Sequence, residues 1–309
     1  MSRSRVGSIN GGGLRSAFPP PRSERIEPGA ETKVLFIVFG GLSNIVNAFP
    51  VMAALRERFH SETVWLTSSE FAALARASFA DAVRETEPRG IIPWDWIHTQ
   101  GFTHVFFPEP EANQEEWEQS GLHPIDFMAQ KCGVEVETHQ SWLEPSGEAL
   151  REAEEFLRQN ALARGAFITA SHGSSHGRHW PNSNLMQLAL QLEIPTVVFS
   201  ATADPEIPGT IQCRDKPFQV IAALIRWSCF YAGPDSGISW LATTTDTPMT
   251  VFLDPLRQSQ LNIGVRGVLA GEKSNVQEFD IYTSLQTVLD HIEEKAREGS
   301  KGMQTPLLS

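Results

Sequence analysis

Cysteine is scarce in this sequence, and its few copies stand far apart. Cys132, Cys213 and Cys229 are all there are, and no CxxC pair occurs. A disulfide framework is therefore excluded, and the expectation is a cytosolic chain with reduced, buried thiols. Positive charge is short as well: 25 Lys and Arg face 37 Asp and Glu, a net charge of −12. Broad nucleic-acid binding needs a basic surface and is excluded. A local basic patch facing an anionic lipid or sugar is not. Long hydrophobic runs are missing too. The longest, such as VLFIVFGGL, fall far short of the roughly 20 residues that cross a bilayer. Residues 1–33 carry no apolar signal-peptide core and are rich in Gly, Ser, Pro and Arg, which reads as a flexible tail. The closing EEKAREGSKGMQTPLLS reads the same way.

What is present is a chain of 309 residues, 41% hydrophobic and 20% charged, enough for one large domain or two of ordinary size. From Lys33 the pattern alternates. VLFIVF is a short continuous apolar run and predicts a buried strand. PVMAALRERF predicts a helix with Pro50 in its first turn. TVWLTS, AVRETE and HVFFPE predict further strands. SEFAALARASF, with Ser68 or Ser69 as cap, and HPIDFMAQKCGV, ending near Gly133, predict helices. The charged amphipathic stretch EPSGEALREAEEFLRQNALARG, capped by Ser146, marks a border. The alternation then restarts with AFITAS, NSNLMQLALQL, TVVFSA, PFQVIAALIRWS, CFYAG, ISWLATTT and PMTVFLD, and DIYTSLQTVLDHIEEKAREG closes the chain as a helix. Strand–helix alternation predicts parallel βαβ units. The expected fold is α/β: two doubly wound, Rossmann-like halves, each with its own core, facing a cleft at the carboxyl ends of the strands.

Three loops that follow strands carry unusual residues. The first, FGGLSN, is a glycine turn with no carboxylate, histidine or lysine. The second, SHGSSHGRHWP, combines serines, glycines and Arg178 ahead of a helix, which suits a phosphate or diphosphate. A plain polar turn capping that helix fits these residues equally well. His172, His176 and His179 would align only on a helix, which the glycines break, so single polar contacts are preferred there to a metal site. The third, AGPDSGIS, sets Asp235, Ser236 and Gly237 at a strand-to-helix junction. Its free N–H groups favour an anion, although a lone DSG is more often a simple cap.

The second and third loops together carry a resemblance. RHWPNSNLMQLALQL followed by CFYAGPDSGISWLATTTDTPMTVFLDP resembles glycosyltransferase family 9, the heptosyltransferase-like family. Its members show a basic residue before Trp-Pro and later an Asp-Thr-Gly-x-x-His-Leu-Ala turn. The resemblance spans residues 33–299. It implies the GT-B architecture: a tail at 1–32, an N-terminal acceptor-side half at 33–145, a nucleotide-sugar donor half at 146–275, a C-terminal helix at 276–299 and a tail at 300–309. It implies a cytoplasmic enzyme, free or peripheral to the inner membrane face, that transfers a sugar from a nucleoside diphosphate donor, ADP-heptose-like, to a saccharide or lipopolysaccharide-type acceptor with inversion. No cofactor or metal is implied. Arg178 takes the place of the family's basic residue on the diphosphate. Ser174 takes that of a phosphate-contacting hydroxyl, and Asp235, Ser236 and Gly237 that of the Asp-Thr-Gly turn. The ribose carboxylate falls to Asp204 or Glu206.

Two departures stand out. Trp240 replaces the common His of the third loop, trading a polar contact for a stacking surface. In the acceptor-side loop of Gly41, Ser43 and Asn44, Ser43 replaces a glycine and Asn44 replaces the Asp that the family is proposed to use as base. A neutral amide cannot take a proton from a sugar hydroxyl, and a positioned base contributes typically about 10²–10⁴-fold. Three readings follow. Another group acts as base, with Asp95, His98 and Glu109 near strand ends. Leaving-group stabilisation dominates. Or the protein binds a nucleotide sugar, or a partner, without catalysis. A sugar-nucleotide 2-epimerase is a weaker fourth, for want of paired acid and base groups.

Overall fold

A computed structural model describes residues 32–87, 90–171, 173, 180–253 and 276–303. The first half runs β1 (Lys33–Ile37), α1 (Leu42–Phe59), β2 (Glu62–Ser68), α2 (Ser69–Ala75), β3 (Ala82–Thr86), α3 (Trp94–Thr99), β4 (His104–Phe106), a 3-10 turn (Glu111–Asn113), α4 (Gln114–Ser120) and α5 (Pro124–Cys132). Helix α6 (Gly147–Gln159) follows. The second half runs β5 (Ile168–Ser171), α7 (Asn182–Gln191), β6 (Thr196–Ser200), β7 (Ile211–Arg214), α8 (Phe218–Trp227), β8 (Phe230–Pro234), α9 (Gly237–Ala242), β9 (Met249–Leu253), β10 (Val276–Asp280) and α10 (Leu285–Met303).

Both sheets are parallel. The first has the order β3-β2-β1-β4 and the second β10-β9-β8-β5-β6-β7. Each therefore reverses direction beside its first strand, between β1 and β4 in one and between β5 and β8 in the other. In open α/β sheets the crevice at such a reversal is where ligands bind. The continuous apolar run in β1 has its explanation here. Val34, Phe36 and Val38 pack on the α1 side, while Leu35, Ile37 and Phe39 pack against Ile97 and its neighbours on the other. A strand covered on both faces has no polar positions to alternate.

Four expectations are corrected. Helix α1 starts at Leu42, and Pro50 lies inside it rather than in its first turn. Pro50 has no N–H to give to the Val46 carbonyl. The Ser141 hydroxyl donates to that carbonyl instead, at 2.6 Å, so a side chain from outside the helix fills the gap. Second, α3 and α4 are additional short helices, and β7 is an additional edge strand. Third, residues 276–280 are a strand paired with β9, and the closing helix starts only at Leu285 and runs to Met303. Fourth, the halves do not have only separate cores: beside a cluster confined to the first half, around Leu35, Ile37 and Ile97, and one confined to the second, around Ile168, Leu188 and Phe252, they share a third. This shared cluster runs from Val34, Phe36 and Met52 of the first half to Phe199, Leu224 and Val251 of the second. Phe71 of α2 stacks on Phe218 of α8 with ring centroids 5.6 Å apart. Gln219 of α8 donates to the Ala73 carbonyl at 2.6 Å and accepts from Ser146 N at 2.8 Å, tying α2, α6 and α8 together. The caps at Ser146, which accepts from Ala149 N, and at Gly133, with φ 63, are as expected. Among the described residues, no helix is long and apolar enough to cross a membrane.

Candidate functional site

The turn after β1 and the loop after β4 meet at the first reversal point. Gly40 has φ +107, and a Cβ there would lie 2.4 Å from the Phe71 ring, so only glycine fits. Its neighbour Gly41 is the N-cap of α1 and brings no side-chain cap. The turn's N–H groups are met from elsewhere: Glu109 accepts from Phe39 N at 3.2 Å and from Gly40 N at 3.0 Å. Asn44, in the first turn of α1 and buried, points its amide at two carboxylates. Its Nδ2 donates to Glu109 Oε1 at 3.4 Å and also to Glu111 Oε2. Glu109 is 4% exposed. Burial, joined by the charge of Glu111 and resisted by the hydrogen bonds from Phe39, Asn44 and Gly40, pushes its carboxyl up to about 7. Asn113 braces the loop by donating to the carbonyls of Phe107 and Glu109. Glu111 itself is exposed.

The second reversal point is built on a buried tyrosine. Tyr231 Oη lies 2.8 Å from Ser171 Oγ at the end of β5 and 2.9 Å from Ser239 Oγ in α9. Ser239 spends its own proton on the Pro234 carbonyl at 2.6 Å, so it accepts from Tyr231, and Tyr231 accepts from Ser171. Burial pushes the phenol up to about 12, and it stays a neutral strut. Ser236 caps α9 by accepting from Ser239 N. Asp235 is buried beside it, its N–H given to the Phe252 carbonyl at 3.0 Å. Gly237 faces the other half: a Cβ there would lie 2.7 Å from Leu42 Cβ. The start of α9 thus abuts the start of α1, and the two reversal points meet.

The remaining candidates divide. Ser174 and Arg178, with His172, His176 and His179, lie outside the described residues. Asp204 closes the turn after β6, accepting from Ala201 N at 2.7 Å while Arg214 holds the carbonyls of Ala201, Thr202 and Asp204. Glu206 is exposed on the same loop. Of the expected acceptor-side loop, Gly41 is the N-cap of α1, and Ser43 and Asn44 lie in the first turn of that helix. Asp95 and His98 are exposed on α3, which packs on the sheet face away from α1. Trp240 is not an open stacking surface. It is 6% exposed and packs on His123, with ring centroids 5.8 Å apart. Sequence reasoning had no place for Glu111, whose bond to Asn44 joins residues 67 apart. An acidic residue just past a strand end at a reversal point was the available signal.

Among the described residues, His123, Asp126 and His139 form a group of ligand-type side chains. His139 Nε2 lies 2.7 Å from Asp126 Oδ1. His123 Nδ1 already accepts from Ile125 N at 3.2 Å, capping α5, and burial followed by His139 holds the ring down at about 4. Its Nε2–H is therefore left as a donor and not as a lone pair, which fits a capping histidine better than a metal ligand. A surface hollow of ≈ 790 Å³ lined by Arg56, Glu57, His60, Phe79 and Asp81 sits at the far end of α1, away from both reversal points.

No protein-family profile matches the sequence, and no curated protein matches it. Solved structures do match in three dimensions. The glycosyl transferase family 9 protein from Veillonella parvula superposes with a TM-score of 0.66 at 14% identity, covering 86% of this chain and 97% of its own. The E. coli ADP-heptose LPS heptosyltransferase II gives 0.64 at 12% identity, with 86% and 99% covered. The E. coli heptosyltransferase WaaC with ADP-2-deoxy-2-fluoro heptose gives 0.55 at 12% identity, with 85% and 99% covered. At these identities the likeness is one of fold. Two parallel sheets of four and six strands, joined over nearly the full length of those enzymes, give this chain the GT-B architecture of the family 9 glycosyltransferases.

Proposed function

We propose that this protein is a glycosyltransferase. It would bind a nucleoside diphosphate sugar at the β5/β8 reversal point and transfer the sugar, with inversion, to a saccharide or lipopolysaccharide-type acceptor at the β1/β4 reversal point. The observation that carries the reading is the opposition of those two points, with Leu42 of one half against Gly237 of the other. Donor and acceptor bound in separate crevices would meet in line across that junction, which is the geometry a single displacement needs. On the donor side the reading assigns Ser174, Arg178, Asp235, Ser236 and Gly237 to the diphosphate and Asp204 or Glu206 to the ribose. The solved relatives are described with ADP and an ADP-heptose analogue, so an ADP-sugar is the first donor to try. No metal is required for a diphosphate held by arginine, hydroxyl and backbone N–H groups. The protein would work in the cytoplasm, as a peripheral protein if its acceptor is a glycolipid.

Asn44 favours a second reading, a catalytically silent nucleotide-sugar binder. Calorimetric titration with ADP, UDP and GDP, followed by assay of nucleoside diphosphate release from the matching sugars, separates the two. Binding with turnover supports the enzyme. Binding without turnover supports the silent binder. Absence of binding to all three removes the donor site and both readings with it.

A further inference from the structure

We propose that Glu111 is the catalytic base of this protein, held in place by Asn44, with Glu109 as the buried anchor beneath both. The inference rests on the glycosyl-transfer reading above and adds a residue that reading leaves open: the group that takes the acceptor's proton.

The geometry separates the two carboxylates by role. Glu109 has both oxygens committed, Oε2 to Phe39 N and Oε1 to Gly40 N and Asn44, and it is 4% exposed. It holds the turn in shape and cannot meet a substrate. Glu111 is exposed, and Asn44 takes only its Oε2. It is the member of the pair that solvent reaches, and hence the one a sugar hydroxyl reaches. Bringing two carboxylates to one amide is unfavourable through their mutual repulsion. A turn that needed only N–H acceptors would be served by Glu109 alone. The second carboxylate sits at the reversal point, the place in an open α/β sheet where a ligand is received.

The step balances as follows. The acceptor oxygen forms its bond to the anomeric carbon as the bond from that carbon to the diphosphate oxygen breaks. The nucleoside diphosphate leaves with the bonding pair, and the hydroxyl proton passes to Glu111. Asn44 and Glu109 are positioning residues: Asn44 aims the carboxylate, and Glu109 fixes Asn44 and the start of α1.

The test uses the full chain, ADP-, UDP- and GDP-hexoses, and methyl glycosides as acceptors. Glu111→Gln is expected to slow transfer by about 10²–10⁴-fold while nucleoside diphosphate binding by calorimetry is unchanged. Transfer at the parent rate, with binding intact, overturns the inference and spares the glycosyl-transfer reading. Failure of every nucleoside diphosphate to bind overturns both. The positioning roles have a readout that needs no substrate. In ¹³C-carboxyl NMR, Glu111→Gln lowers the pH at which Glu109 titrates and Asn44→Ala raises it. A Glu109 titration that neither variant moves shows that the pair is uncoupled and contradicts the arrangement.

Discussion

At the scale of single residues, Asn44 changes meaning once its neighbours are known. Read alone, an amide where a carboxylate is expected looks like a loss. In the structure it is the donor that two carboxylates require, and the nearer in sequence of those partners is 65 residues away. Glu109 was legible as an acidic residue past a strand end. Its burial and its grip on the β1 turn were not, because they depend on β1 and β4 lying side by side. A consequence for stability follows. Glu109 titrates at about 7 in the folded chain against 4.5 ordinarily. A carboxyl raised in this way is stabilising in full below pH 4.5, and its contribution is lost as pH rises through 7. The span is on the order of 3 kcal/mol. Glu109→Gln cannot titrate, so urea unfolding at pH 5 and pH 8 should differ less in the variant than in the parent by that order. Equal pH dependence in both would mean that Glu109 is not buried as described.

At the scale of elements, strands were the more legible class. Short apolar runs covered on both faces announce themselves, and β1, β2, β5, β6, β8 and β9 fall where those runs are. Helix starts were less legible. Pro50 ordinarily marks a first turn, and nothing near it in sequence shows that Ser141 supplies the hydrogen bond the proline removes. The 3-10 turn that carries Glu111 and the polar edge strand β10 have weak periodicity and depend on tertiary contacts. The Ser141 contact is open to test. Ser141→Ala leaves the Val46 carbonyl buried without its donor. It should cost about 1–3 kcal/mol in denaturant unfolding, where Ala at an exposed serine costs little. A cost within a few tenths would show that the helix interior does not need the bond.

At the scale of the whole molecule, the alternation of strands and helices was sufficient for two parallel α/β halves, and the resemblance carried by the second and third loops supplied the GT-B architecture. The alternation did not disclose that one core joins them, because the joining contacts involve ordinary apolar residues on α1, α2, α8 and α9. Nor did it disclose the meeting of Leu42 and Gly237, which depends on how the halves dock. Gly237→Ala forces those helix starts apart, since the new methyl would lie 2.7 Å from Leu42 Cβ. A loss of about 1–3 kcal/mol is expected, with unfolding still in one transition because the core is shared. Two separated transitions in the parent protein would contradict the shared core.

On the proposed arrangement the acceptor-side carboxylate is relocated to Glu111 and not lost at Asn44. Nucleoside diphosphate release by Asn44→Asp, compared with the parent on the same donor and acceptor, tests it most directly. A carboxylate at position 44 would face Glu109 and Glu111 with no donor between them, so the relocated arrangement predicts release slower by about tenfold or more. Faster release from the variant would mean that the site is a decayed one awaiting its original base, and would contradict the claim.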